Sequence, residues 1–175
     1  MSQGGRHPSG GKSDLDQAGL EQGQRRNQGM LHRELIGDDN QPEITITKAN
    51  LGRLDVMLAS HAPIRSWRAV EHLLQELKRA AVVTDDETPA DVVTMHSRVE
   101  FFDGDSPMAR VATLVYPGES AIYEDALSVV TPVGVALLGL SAGQSMSYPG
   151  PDGRSRKIRV ARILYQPEAT KRIRA

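Results

Sequence analysis

Cysteine is absent from all 175 residues, which excludes disulfide frameworks, thiolate nucleophiles and cysteine-ligated metal centres. Aromatic residues are almost as scarce at 4%, so the core has to be aliphatic and a binding pocket lined by rings is not expected. No apolar run approaches the roughly 20 residues that cross a bilayer. The opening MSQGGRHPSGGKS also lacks the hydrophobic centre of a secretory signal. Charge of one sign is not in excess either. The formal net charge of -1 argues against a general nucleic-acid binder, which needs cations concentrated against phosphates. The expectation is a cytoplasmic protein, without membrane segment, metal or cofactor, and with one modest core supplied by its 39% hydrophobic content.

What is present begins with a polar extension. Residues 1–40 are dominated by Gly, Gln, Arg, Ser and Asp with no sustained apolar period, so they are expected to be disordered apart from a transient helix around Leu31 to Ile36. Gly11, Lys12 and Ser13 imitate the end of a phosphate-binding loop. Arg6 stands where its first glycine belongs and no apolar strand precedes it, so the motif is rejected.

The next segment, residues 41–84, reads as a short helical hairpin. Ile44 and Ile46 alternate with threonines as in a strand, and Thr47 or Asn50 can cap a helix carrying Leu51, Leu54 and Leu58 as far as Ser60. After Pro63, Ser66 can cap a second helix with Val70, Leu73, Leu74, Leu77 and Ala81 along one side. Two apolar stripes joined by so short a loop favour an antiparallel pair, which leaves the chain a monomer by default. Trp67, next to the bend, reads first as a packing residue and second as an exposed aromatic for a partner. Arg68, Glu71, Glu76, Lys78 and Arg79 describe a solvated helical face. His61 and His72 lack a ligand set and are expected to face solvent. Thr84 to Glu87 with Pro89 forms an acidic linker without the interleaved ligands and glycine of a calcium loop.

From residue 85 the pattern changes to strands. Val93, Met95, Arg98 to Phe102 and Val111 to Tyr116 alternate as strands do, with His96 placed on a strand in a structural or solvent-facing role. Gly104 to Pro107 supplies a turn, and Pro117-Gly118-Glu119 closes the second strand. Leu127 to Val130 then reads as a buried strand leading into a helix capped by Thr131 and started by Pro132, with Gly139 and Gly143 releasing the chain on either side of Leu140. Gln144 to Tyr148 and Lys157 to Tyr165 form a terminal hairpin around Pro149 to Gly153. The whole is an α+β domain, a helical hairpin beside a twisted antiparallel sheet crossed by one short helix. Arg154, Arg156, Lys157, Arg159 and Arg162 are assigned to the wet face of the last strand, and Lys171, Arg172 and Arg174 to a solvated tail over 169–175. The second reading of these cations is contact with an acidic protein surface or weak, indirect contact with nucleic acid.

DVVTMHSRVEF at 91–101, ATLVYP at 112–117, LSVVTPVGVALLGLSAGQ at 127–144 and ILYQPEA at 163–169 together resemble the carboxy-terminal, FKBP-like domain of the GreA/GreB transcript-cleavage factors. They resemble still more closely the Rnk family, the regulators of nucleoside diphosphate kinase. The resemblance covers roughly Gln41 to Ala169 and implies an FKBP-like antiparallel domain over 85–168 that grips RNA polymerase, with the hairpin entering near its secondary channel. It does not carry cleavage across, because the bend His61-Ala-Pro-Ile-Arg65 holds no carboxylate for a catalytic metal and Asp55 lies back along the first helix. What it implies is a noncatalytic regulator of transcription elongation that binds RNA polymerase or competes with cleavage factors. A weak prolyl isomerase and a binding module for another regulatory protein stand as alternatives. The contacts expected from this reading are Trp67, Ser141, Ala142, Gly143, Gln144, Ser145, Arg154, Arg156 and Arg159.

Overall fold

Thr45–Thr47 (β1) gives way to a helix as soon as Thr47 can cap it, and the threonine hydroxyl accepts from the Asn50 amide at 3.0 Å. A computed structural model describes residues 41–60, 67–104, 106–150 and 152–174. The expected disorder of 1–40, the helix at 31–36, the Ser66 cap, His61 and the bend to Arg65 lie outside the described residues. Helix α1 spans Lys48–Ala59 and α2 spans Trp67–Arg79. Ala81–Val83 (β2) then pairs in parallel with β1, Thr45 opposite Ala81 and Thr47 opposite Val83. Ala81 therefore belongs to a strand and not to the second helical stripe. One helix leaves this short ladder and the other returns to it, so the hairpin is closed at its root by backbone bonds as well as by apolar contact.

Leu54 is fully buried on α1, as are Leu73 and, nearly so, Leu77 on α2, whereas Leu74 is more than a third exposed. These residues share one core with Phe101, Leu114, Val135, Leu137, Leu140 and Ile158, so the hairpin root and the sheet bury their apolar faces together. Helix α2 also buries Glu76, which the charge pattern had assigned to the solvated face. Its side chain is 3% exposed between Arg79, to which it is hydrogen-bonded, and His72 at 3.4 Å. Burial alone would raise the Glu76 pKa, but the hydrogen bonds and charges of His72 and Arg79 outweigh it and hold the carboxyl below its ordinary value. Arg79 extends the same cluster to the Pro42 carbonyl at 2.7 Å. His72 is likewise drawn in rather than facing solvent, with a side chain only 13% exposed.

The sheet has five strands in the order β5-β4-β3-β7-β6: Arg98–Asp103 (β3), Arg110–Val115 (β4), Ala126–Ser128 (β5), Ser145–Pro149 (β6) and Ser155–Tyr165 (β7). All neighbours are antiparallel except β4 and β5, which run parallel, so the expected antiparallel sheet is mixed at one edge. The strand predicted at Leu127 to Val130 begins and ends earlier, because Val129 and Val130 turn the chain toward the helix. Thr131 caps that helix, α3 (Pro132–Leu137), accepting from the Gly134 amide at 3.1 Å, with Pro132 in its first turn. Gly139 then takes φ +77°, and a Cβ there would meet Ile44 Cβ at 2.7 Å and the Thr45 carbonyl at 2.9 Å. The Thr45 amide donates to the Gly139 carbonyl at 3.0 Å, fixing β1 against this turn.

The basic end is not a tail. Pro167–Arg174 forms a helix, α4, with Glu168 buried in its first turn. Just before it, Gln166 donates to the carbonyls of Pro89 and Val92 at 2.8 and 2.7 Å. Lys171 and Arg172 reach back to Asp85 and the Asp86 carbonyl.

Candidate partner-binding surface

Strands β6 and β7 place the candidate residues in register. Ser145 lies opposite Arg159, and Arg159 lies opposite Phe102 of β3, so the three form one row across three strands. The Arg159 guanidinium sits over the Phe102 ring, 4.7 Å from its centroid, which orients the cation while the residue stays exposed. Ser147 and Lys157 form the next row. Arg156 and Arg162 point their charge at carboxylates: Arg156 is 3.5 Å from Asp152, and Arg162 is 2.6 Å from Glu100. The Arg162 hydrogen bond holds the Glu100 carboxyl below its ordinary pKa. Among the described residues Arg154, Lys157 and Arg159 form no ion pair, so the uncompensated charge of this face is concentrated on them. Such a face is complementary to an acidic surface.

The turn from Ser141 to Ser145 is held tightly against that face. Ser141 donates to the Gln144 side chain at 2.8 Å, Ala142 to the Asp91 carbonyl at 2.8 Å, Gly143 to the Val160 carbonyl at 2.8 Å and Gln144 to the Ser141 carbonyl at 3.0 Å. These four amides are spent inside the protein, so residues 141–144 offer no backbone donor to a partner. Its exposed positions, Ala142 and Gly143, can contribute only shape and carbonyl oxygens. Trp67 is 72% exposed and is not a packing residue of the hairpin. It opens α2 at the end away from the β1–β2 ladder, about 18 Å along the helix from its root.

Other groups were not singled out by sequence. His96, expected on a strand, occupies a turn with φ +65° and lies 2.8 Å from Glu119. Its ring stacks near Tyr123 and meets Tyr116 edge-on. Arg53 of α1 sits 4.2 Å from the Tyr116 ring centroid and 3.6 Å from Glu119. Burial pushes the Tyr116 hydroxyl up to about 12. Alongside runs a shallow groove of about 650 Å³ bordered by Ala49, Gly52, Val56, Met57 and Pro117. A second cleft of about 650 Å³ is bordered by His96, Tyr123 and Tyr165 together with the Arg98–Asp125 ion pair. Nothing in the spacing of these residues along the chain announces their meeting. Among the described residues no three His, Asp or Glu side chains are placed to hold a metal ion, and no helix is long and apolar enough to cross a membrane.

Comparison with known proteins agrees with this architecture. Residues 88–165 match the family described as transcription elongation factor GreA/GreB, C-terminal. The regulator of nucleoside diphosphate kinase of Escherichia coli K12 is 39% identical over 130 residues, covering 74% of this chain and 95% of that protein. Transcription elongation factor GreA of Clostridium botulinum (strain Alaska E43) is 33% identical over 84 residues, 48% of this chain and 52% of its own length. Among solved structures, a GreA/GreB elongation factor from Nitrosomonas europaea superposes with a TM-score of 0.56 at 35% identity, covering 71% of this chain and 100% of that one. With 39% identity over 95% of that regulator's length, the chain belongs to the family of regulators of nucleoside diphosphate kinase.

Proposed function

We propose that this chain is a noncatalytic regulator that binds RNA polymerase near its secondary channel, in the cytoplasm and as a monomer, and there modulates elongation or competes with transcript-cleavage factors. One observation carries the reading: a domain of GreA/GreB type is joined to a hairpin whose helices have only 12 and 13 residues. Helices of that length reach about 20 Å, so the hairpin occupies an entrance rather than a distant active centre. Its sequence between the helices, His61 to Ser66, supplies no carboxylate to recruit a metal. Residues 85–168 act as the gripping domain and 41–84 as the arm. Contact falls on Arg154, Arg156, Arg159 and the turn from Ser141 to Ser145, with Trp67 as a separate aromatic contact on the arm. Control of nucleoside diphosphate kinase, which the relatives' name states, runs through transcription on this reading. The cations of β7 give at most a weak, indirect touch to nucleic acid.

The test is retention of purified RNA polymerase on the immobilised chain, with a cleavage factor as competitor. Loss of retention as the competitor rises supports a shared site. In arrested elongation complexes with magnesium, added chain reduces the effect of a cleavage factor and produces no transcript shortening of its own. Shortening above the polymerase's intrinsic rate that disappears on Asp55→Ala, or on neutralising Asp85 to Glu87, refutes the noncatalytic reading. The isomerase alternative gains one feature, since His96, Tyr123 and Tyr165 border a common cleft despite the shortage of aromatics. Peptidyl-prolyl turnover at the rate of the uncatalysed reaction disposes of it.

A further inference from the structure

The buried polar groups of this protein are concentrated where the hairpin meets the sheet domain. Asn50, in the first turn of α1, is 9% exposed. Its carbonyl oxygen accepts from the Tyr116 hydroxyl at 3.3 Å, and its amide donates to Glu168 Oε1 at 3.4 Å. Glu168, in the first turn of α4, is 5% exposed, and its other oxygen accepts from the Thr94 hydroxyl at 2.7 Å. Thr94 in turn shares its hydroxyl with Ser97 at 3.0 Å. Among the described residues Glu168 forms no ion pair, and its hydrogen-bond donors are the neutral Asn50 and Thr94. A carboxylate buried on neutral donors contributes little to stability for the desolvation it suffers, but it does impose direction, because each lost partner leaves a buried group unsatisfied.

The junction has the geometry to use that direction. The three-residue ladder of β1 and β2, held to the Gly139 turn, is one line of attachment, and the core that Leu54, Leu73 and Leu77 share with the sheet adds contact that is strong but non-directional. Asn50 and, one turn later, Arg53 attach α1 to Tyr116 and Glu119 away from that line. These directional contacts select one orientation among those that apolar packing alone would tolerate. Helix α4 is itself strapped to the linker between hairpin and sheet by Gln166, Lys171 and Arg172. It therefore presents Glu168 to Asn50 from a fixed base.

We infer that Asn50 and Glu168 are positioning residues that fix the direction in which the hairpin leaves the sheet domain, with α4 as the strap that holds Glu168 in place. The claim concerns the chain's own geometry and goes beyond the polymerase reading, standing whichever partner the hairpin meets.

The absence of native cysteine makes the test direct. Ala59→Cys at the far end of α1 and Lys157→Cys on β7 take spin labels in the full chain, and the distance distribution between them is measured by double electron–electron resonance. The parent protein gives one narrow peak. Asn50→Ala and Glu168→Ala broaden it about two-fold or add a second distance, as a two-state arm released from a latch does. Leu54→Ala and Met146→Ala are the comparisons. Leu54 is part of the core shared by hairpin and sheet, so its truncation shows what loss of apolar attachment alone does, and Met146→Ala, which empties a fully buried site on β6 outside both hairpin helices, lowers the melting temperature yet leaves the peak narrow. If the two junction variants fail to fold, Tyr116→Phe decides, since it deletes only the hydroxyl that holds Asn50 and is expected to broaden the peak as well. A peak that stays narrow in every folded junction variant, or one that broadens equally in Met146→Ala, overturns the inference.

Discussion

Replacing Gly139 by alanine tests how the hairpin is joined to the sheet domain. Two costs are expected and they can be separated. The first is conformational: Gly139 has φ +77°, and an L-residue in the left-handed region costs about 1–2 kcal/mol. The second is steric, because the new methyl would lie 2.7 Å from Ile44 Cβ, 2.9 Å from the Thr45 carbonyl and 3.0 Å from the Thr45 amide. Two of these atoms are backbone and cannot swing aside, so strand β1 has to shift, at about 1–3 kcal/mol for overpacking a filled site. Gly143 supplies the comparison. Its φ is +86° and an added Cβ would find nothing within 4 Å, so Gly143→Ala bears the conformational cost alone. The expected losses are about 1–2 kcal/mol for Gly143→Ala and about 2–5 kcal/mol for Gly139→Ala. At about 3 °C per kcal/mol for a chain of this size, thermal unfolding should show drops of about 3–6 °C and about 6–15 °C. Amide exchange should also speed up at Thr45 in Gly139→Ala, since that amide donates to the Gly139 carbonyl. Equal destabilisation by the two substitutions would refute the close contact between β1 and the Gly139 turn.

Glu76→Ala should cost about 2–4 kcal/mol at neutral pH by stranding His72 and Arg79, less than for a fully buried pair because the Arg79 side chain keeps 31% exposure. Since the folded Glu76 pKa lies below 4.5, its contribution is present above that value and is lost as pH falls through the folded pKa, so stability measured by urea unfolding should fall less steeply below pH 5 in Glu76→Gln than in the parent. Tyr116 and Tyr148 are both pushed up to about 12, Tyr116 by burial and Tyr148 by burial and its hydrogen bond to Asp103. Their contribution holds below pH 10 and is lost from there to 12, so Tyr116→Phe and Tyr148→Phe should each flatten the alkaline limb in the same assay. Arg159→Glu should weaken polymerase retention about ten-fold at low salt with a smaller difference at high salt, and retention unchanged at both would remove β7 from the contact surface.

The order of elements was legible because each is announced locally. Thr47 and Thr131 cap the helices they precede, Pro132 starts one, and Gly139 and Gly143 sit where the chain needs positive φ. These are properties of a few consecutive residues, and no distant partner is required to express them. The Ser145, Arg159 and Phe102 row was half legible, since a hairpin around Pro149 to Gly153 was readable but its register against β3 was not. That residues 61–65 hold no carboxylate was also plain from the sequence.

Tertiary structure decided which polar groups are buried. Glu76, Asn50 and Glu168 look like surface residues in any window of their own helices, because periodicity records spacing and not what packs against a face. Glu168 is enclosed where Asn50 of α1, 118 positions away, and Thr94, 74 positions away, meet its two oxygens. His96 and Glu119 meet because a turn with φ +65° lies beside the end of β4. The parallel pairing of β1 with β2 is of the same kind: each has only three residues, too few for an alternating pattern to be read, and the ladder exists because two helices carry the chain out and back to the same place.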